Sequence, residues 1–322
     1  MIFKNLLFVG DPHFTTRKPY RRLDNYVQTI FNKFEQVIQL SNEKQAPILV
    51  LGDFFHEEDE NDLAFINKLI NLLKTAQYPI YSLKGNHDLK EHCLTNDTTF
   101  SLFINIGLIQ EIKDFEKLLF NLEDCQVGVI GVSHGHTIPN KVVKDSEDYL
   151  IMLTHHNLEF ENPYPNSLPL FEIEGCDYVI NGHMHHMKSD VQVGQTLWKN
   201  PGNIVRQAID CIGHIPNVLL FNGNTEEFEI LELKYESNVF DVRDYQVVPT
   251  NKQQAVQELV NKEYEFVNIL DQHIQSMTHN KLQRTDNKEI ITEALDKLHK
   301  EQPIKKEVRA IVDHLFNKGQ AI

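Results

Sequence analysis

The sequence predicts an α/β layered domain with a partly antiparallel sheet, followed by a helical appendage. Three observations predict it. From Met1 to about Tyr235, short apolar runs alternate with longer amphipathic ones, the pattern of βα units stacked in layers. Two late strand-like runs flank Asn222-Gly223-Asn224, and Asn-Gly is a strong hairpin signal. After Pro249 the strand-like runs cease and helical spacing takes over. The expected division is therefore a domain over residues 1–235 and a linker with a helical C-terminal region over residues 236–322.

Strands are expected at 5–10 (NLLFVG), 47–51 (PILVL), 79–84, 127–132, 149–154 and 177–181, and then at 218–221 and 228–233 around the Asn-Gly turn. Helices lie between them. Asp24 can cap one that places Val27, Ile30, Phe31, Phe34 and Ile38 on a single face. A second runs near 60–76 with Phe65, Leu69 and Leu72 inward. A third starts near Thr95 or Asn96, uses Phe100, Phe103 and Ile104, and stops at Gly107. In the appendage, helical spacing links Ala255, Leu259, Phe266 and Leu270, then Ile290, Ala294 and Leu298, then Val308, Ile311, Val312 and Leu315.

The 322 residues carry 41% hydrophobic and 24% charged side chains, an ordinary globular balance. No apolar run approaches the ~18 residues of a membrane span, and the N-terminus lacks the features of a secretory signal. Cys93, Cys125, Cys176 and Cys211 form no CxxC pair, so neither a disulfide framework nor a thiolate zinc site is expected. A reduced cytoplasmic setting follows. Net charge is −15, and residues from Asn251 onward hold 11 basic and 11 acidic groups, so the whole excess lies in the first 250. Such a chain repels a polyanion unless metal ions or a basic partner reverse the local field.

Five short motifs sit where expected strands end. They are Asp11-Pro12-His13, Gly52-Asp53, Gly85-Asn86-His87-Asp88, Thr154-His155-His156 and Gly182-His183-Met184-His185. Ligands gather at the carboxyl ends of strands in α/β sheets, so the five can converge. Three carboxylates, an amide oxygen and several imidazoles would then meet, a mixture that suits Mn²⁺, Fe²⁺ or Zn²⁺ better than Ca²⁺. The number of donors favours two ions, with a carboxylate such as Asp53 bridging them at ~3.5–4 Å separation. A pair of this kind lowers the pKa of a trapped water and neutralises phosphoryl oxygens. His87, next to Asn86, is placed to protonate a leaving oxygen.

The set DPHF, GDFFH, GNHD, THHN and GHMH resembles the calcineurin-like metallophosphoesterase superfamily across about residues 5–235. Within it the sequence looks closest to SbcD-type double-strand-break-repair nucleases and their phage recombination counterparts, through His56 in GDFFH, the long helix before that motif and the early GNHD. The resemblance implies a four-layer α/β/β/α sandwich. It implies one metal on Asp11, His13, Asp53 and His185, and a second on Asp53, Asn86, His155 and His183. His87 then matches the general acid, and His56 a histidine near the substrate phosphate. Mn²⁺ is the first expectation for both ions, with Fe²⁺ or Zn²⁺ as alternatives. A DNA substrate, exo- or endonucleolytic cutting, an SbcC-type SMC-like ATPase partner docked by the C-terminal helices, and a homodimer are implied as well. Phe14-Thr15 stands where those nucleases usually have Leu-Gly, and His186-Met187 departs after the last ligand. Those nucleases also carry a longer DNA-capping region.

Arg17, Lys18, Arg21 and Arg22 form the densest basic cluster, just downstream of Asp11 and His13. Arg17 and Arg21 are candidates for phosphate-backbone contact. His134, in the His-x-His pair with His136, is a candidate for substrate contact. His156 competes with His155 for one metal position, and His155, first after the strand, is preferred. The leading expectation is a dimetal DNA phosphodiesterase. The alternative is a stand-alone phosphoesterase for a small nucleotide or phosphomonoester. A non-catalytic scaffold of the same fold is disfavoured by the full ligand set and by His87.

Overall fold

The computed structural model describes residues 2–243. The chain divides into two units, Met1–Gln246 and Val247–Ile322; the appendage helices expected after Pro249 lie outside the described residues.

In chain order the elements are β1 (Ile2–Phe3), β2 (Asn5–Val9), α1 (Tyr26–Lys44), β3 (Ile48–Val50), α2 (Leu63–Leu73), β4 (Ile80–Ser82), α3 (Thr99–Asn105), β5 (Gln110–Glu111), β6 (Lys117–Leu122) and β7 (Gln126–Val132). There follow β8 (Tyr149–Thr154), β9 (Tyr178–Asn181), β10 (Lys188–Val193), β11 (Thr196–Asn200), a 3₁₀ turn at Ile209–Gly213, β12 (Asn217–Asn222) and β13 (Glu227–Glu232). They form two sheets. One has the order β13-β12-β2-β3-β4-β5, the other β1-β6-β7-β8-β9-β11-β10. β2, β3, β4 and β5 run parallel, with β12 and β13 antiparallel beyond them. β7, β8, β9 and β11 are likewise parallel. The sheets are thus mixed, as the βα alternation followed by a hairpin requires.

Alternation along the strands sorts side chains into layers. Leu7, Val9, Ile48 and Val50 pack under the helices with Phe34, Ile38, Leu69 and Phe103. Leu6, Phe8, Leu49 and Leu51 point the other way and meet Val127, Val129, Ile151, Leu153 and Ile180 of the second sheet. This is the expected sandwich. Its fourth layer differs: Val132, Met152, Val179 and Trp198 on the outer face of the second sheet are covered by Ile138, Leu158, Phe160 and Ile173. Those covering residues lie in a stretch without α-helix.

Local signals explain the helix ends. Asn25, not the expected Asp24, caps α1 by accepting from the Gln28 amide at 3.2 Å. Asp24 is instead engaged by Arg22 and by the Thr29 hydroxyl. Asp62 caps α2 through the Phe65 amide at 2.8 Å, and Thr98 caps α3 through Ser101 at 3.2 Å. Gly107, at φ +74°, turns the chain after α3.

The body extends past the expected boundary at residue 235. Val239 and Phe240 are buried. Leu23 N–H donates to Val239 O and Asp241 N–H to Arg21 O. Buried Arg206 holds the Glu236 carbonyl and covers the Phe240 ring. A polar-looking segment therefore belongs to the first unit, because buried Arg206 and half-buried Arg21 supply its carbonyls with donors.

Candidate metal centre

The loops after β2 and β3 are built together. His13 N–H donates to Asp53 O at 3.0 Å, Phe14 N–H to Phe54 O at 2.9 Å and His56 N–H to Phe14 O at 3.0 Å. This short parallel ladder continues the sheet beyond its strands. Phe14, Phe54 and Phe55 are fully buried, with Phe14 stacked on Phe54 at 5.3 Å. The apolar residues of both motifs thus anchor the loops, leaving the polar ones at the sheet edge. Asp88 completes the scaffold: its carboxylate accepts from the amides of Phe54, Phe55 and Gly85 at 3.0–3.2 Å. It ties two motifs together and is not among the facing donors.

On the second sheet, Asn181 does similar work. Its side chain bonds Thr154 Oγ1, His156 N and His156 O at 2.8–3.0 Å. Asn200 Nδ2 donates to the carbonyls of Met184 and His186 at 2.9 and 2.8 Å. Three of the candidate ligands, His13, Asp53 and His183, hold φ of +47°, +47° and +64°. Left-handed backbone at non-glycine residues is costly and clusters at functional sites. Gly85 leaves room for Asp53: a Cβ there would come within 2.1 Å of Asp53 Oδ1.

All seven candidate ligands lie at the edge where β2, β3, β4, β8 and β9 end. They fall into two groups. In one, His13 Nε2 lies 3.0 Å from His185 Nε2, and His185 Nε2 lies 3.8 Å from Asp11 Oδ2. In the other, His155 Nε2 lies 3.2 Å from Asp53 Oδ2, 3.3 Å from Asn86 Oδ1 and 3.3 Å from His183 Nδ1. Asp53 Oδ2 is also 3.7 Å from His13 Nε2, so it stands between the groups. Asp11 receives the His183 amide at 2.9 Å.

The donor chemistry fits cations. His155 Nδ1 is 2.8 Å from Leu51 O; a carbonyl only accepts, so Nδ1 carries hydrogen and Nε2 turns to the oxygens. Electron pairs of Asp53, Asn86 and His183 converge there, and they repel unless a proton or a metal ion stands among them. Burial opposes charge on His155, but the carboxylates of Asp53 and Asp11 outweigh it and push its pKa up to about 10. Burial pushes Asp11 up to about 7, with the Asp53 charge adding to it. Burial likewise lowers His13, His183 to about 3 and His185 to about 4. Those imidazoles are neutral at pH 7, the form that binds metal. Among the described residues, Asp11-His13-His185 and Asp53-His155-His183 are groups that could hold a metal ion.

His87 N–H donates to Asp53 Oδ1 at 2.8 Å, and its Nδ1–H to His56 O at 2.8 Å. The ring stacks on His56 at 4.9 Å and lies edge-on to His13 at 5.1 Å. Gln207, from the loop after β11, places Nε2 2.9 Å from His56 Nδ1. Nothing in the sequence marked Gln207, Asn200 or Asn181, although Asn181 directly precedes a motif. His134 sits 5.5 Å from the His183 ring with its Nδ1 buried and unpartnered. His155, not His156, faces Asp53; His156 Nε2–H donates to His136 O at 2.8 Å.

The basic cluster is not brought to the donors as a set. Arg17 pairs with Glu57 at 2.8 Å. Arg21 donates to the carbonyls of Asp241 and Arg243 at 3.2 and 3.1 Å. Arg22 is buried against Asp24, Arg206 O and the Tyr26 ring. Among the described residues no helix is long and apolar enough to cross a membrane.

The calcineurin-like phosphoesterase family matches residues 4–187, which include every candidate ligand. No curated protein matches the chain. Among solved structures, a 5'-nucleotidase precursor from Thermus thermophilus matches at a TM-score of 0.43 and 11% identity. That match covers 82% of this chain and 59% of the other, so this chain spans less than two thirds of that protein's length.

Proposed function

Because the chain belongs to the calcineurin-like phosphoesterase family, we propose that it hydrolyses a small phosphoester, a nucleotide or phosphomonoester, with His87 as general acid. Asp11, His13, Asp53 and His185 would hold one divalent ion, and Asp53, Asn86, His155 and His183 the other. When bound, such a pair supplies Lewis acidity toward water and the phosphoryl group. The observation that carries the reaction is Asp53: one oxygen stands between the donor groups and the other accepts the His87 amide. The acid is thereby held at the carboxylate that stands between the two donor groups. With Nδ1–H donated to the His56 carbonyl, His87 offers Nε2–H, in its imidazolium form, to the departing oxygen.

The substrate reading rests on the arginines. Arg17 and Arg21 already have partners, and the run Glu57-Glu58-Asp59-Glu60 follows His56 directly. With Glu60 buried and Glu57 paired to Arg17, Glu58 and Asp59 add negative charge beside engaged arginines, which disfavours a long polyanion. A second reading, a DNA exo- or endonuclease of SbcD type, draws support from His56. That motif histidine stacks on His87, and an SMC-like ATPase partner could supply the missing basic surface.

The test is parallel turnover, in Mn²⁺, of nitrophenyl phosphate, a nitrophenyl diester, mononucleotides, cyclic nucleotides and linear duplex DNA. The DNA arm is repeated with an SMC-like ATPase. Release of phosphate from small substrates with little DNA cutting is expected. Duplex DNA degraded faster than every small substrate would overturn the small-substrate reading in favour of the nuclease.

A further inference from the structure

One group of close metal-ligating side chains shares no member with the two donor groups described above. His186, Asp210 and Cys211 each offer a donor atom, and these atoms all lie within 4.8 Å of one another. His186 Nε2 is 3.7 Å from Asp210 Oδ2 and 3.8 Å from Cys211 Sγ. We propose that His186, Asp210 and Cys211 form a third metal site, taking a borderline-soft divalent ion of the zinc class as a structural brace.

The chemistry selects the ion. Nitrogen, oxygen and sulfur together suit Zn²⁺ or Co²⁺ and are wrong for Mg²⁺ or Ca²⁺. Tetrahedral zinc with bonds of 2.0–2.3 Å keeps neighbouring ligands about 3.2–3.7 Å apart. The His186–Asp210 and His186–Cys211 separations need only tenths of an ångström of adjustment, and the third pair lies within 4.8 Å. Asp210 is prepared for the role, since its Oδ1 accepts the Cys211 amide at 3.0 Å and its Oδ2 faces His186. The access path is open: the His186 and Asp210 side chains are 41% and 66% exposed, while Cys211 is buried behind them. His214 is already committed, with Nε2 donating to Asn203 O at 2.7 Å and Nδ1 accepting from the Met187 amide. Three protein ligands and one water complete the site. On binding, the Cys211 thiol proton passes to solvent as the metal–sulfur bond forms.

The ion would clamp the 3₁₀ turn Ile209–Gly213 to the loop that carries His183 and His185. Gln207, two residues before that turn, is the side chain that reaches His56. The brace thus stiffens two loops that feed the centre without touching substrate.

The two other donor groups contain no sulfur, which makes the site separately visible. The full-length reduced protein, stripped by chelator, is titrated with Co²⁺ while near-ultraviolet absorption and bound cobalt are followed. A thiolate-to-cobalt charge-transfer band is expected, saturating at one ion per chain. Cys211→Ser and His186→Ala should each abolish the band and lower bound cobalt by one ion per chain. His186 is partly exposed, so its replacement tests the site even if Cys211→Ser misfolds. Asp53→Asn should keep the band while losing ions from the other groups, which separates this site from the proposed phosphoesterase centre. Cobalt saturation without a thiolate band would overturn the proposal. So would a band that survives Cys211→Ser or is undiminished in His186→Ala.

Discussion

At His87, the nitrogen left free by the bond to the His56 carbonyl is Nε2, and the leaving group decides how much that nitrogen matters. A sugar alkoxide departs poorly without a proton, whereas a nitrophenolate needs little help. His87→Ala should therefore retain bound metal and lose roughly 10²–10⁴-fold on an alkyl phosphoester, the range for general-acid catalysis. Its loss on a nitrophenyl ester should be much smaller. Metal content and kcat/KM on the two substrates check this; equal losses would instead assign His87 to phosphate positioning. At Gly85 the argument is steric. A Cβ would fall 2.3 Å from the Asp53 backbone nitrogen and 2.1 Å from its carboxylate, so Gly85→Ala must displace the residue shared by both donor groups. Loss of both ions in metal analysis, with a folded circular dichroism spectrum, is the expected outcome.

Helix α1 carries an unusual burial. Lys33 is 3% exposed and donates to the Lys234 carbonyl, with its ammonium 5.3 Å from the Tyr235 ring centroid. Burial, reinforced by Arg206 and Arg22, lowers its pKa from 10.5 to about 7. The unfolded chain then binds more protons than the folded one between pH 7 and 10.5. In that window Lys33 makes stability rise with pH, and its contribution is lost as pH falls back through about 7. Lys33→Met removes the linkage, so the slope of Tm between pH 7 and 10 should flatten relative to the parent. An unchanged slope would show that Lys33 stays charged through its carbonyl contacts. The same helix shows how far local signals reach. Its apolar face was legible from spacing, yet the cap shifted by one residue because Arg22 and Thr29 claim Asp24.

At the scale of the whole molecule, two sheets bring like-charged and lone-pair groups to one edge, and that edge is least stable when empty of cations. An ion that binds only the folded state at a hundredfold excess over Kd adds about 2.7 kcal/mol. In a domain of this size that corresponds to about 5–10 °C in Tm. Chelation should lower the melting temperature by at least that amount, and Mn²⁺ or Zn²⁺ should restore it. Asp53→Asn, which removes the carboxylate shared by both donor groups, should show a smaller chelator-dependent shift, the remainder coming from the proposed His186-Asp210-Cys211 site. Calorimetry of the full-length protein with and without chelator checks both statements.

The sequence by itself determined the strands that end in chemistry. Expected runs at 5–10, 47–51, 79–84, 149–154 and 177–181 match β2, β3, β4, β8 and β9 to within a residue or two. Buried parallel strands are continuously apolar, so they stand out against their neighbours. The motifs after them held the candidate ligands and His87 in view for the same reason: each lies within a few residues of a legible strand end. β6, β10 and β11 did not stand out. Lys117 and Asn121 in β6, Lys188, Asp190 and Gln192 in β10, and the buried Lys199 and Asn200 in β11 dilute the apolar period. β1 and β5 span two residues each and exist only through their partners. Only the tertiary structure decided that Arg17 and Arg21 are engaged and that Asp88 clamps loops. It also brought Gln207 to His56, 151 residues away, and Cys211 to His186, 25 residues away. Such contacts depend on which strand ends meet across two sheets, and no periodicity along the chain encodes a meeting between segments that far apart.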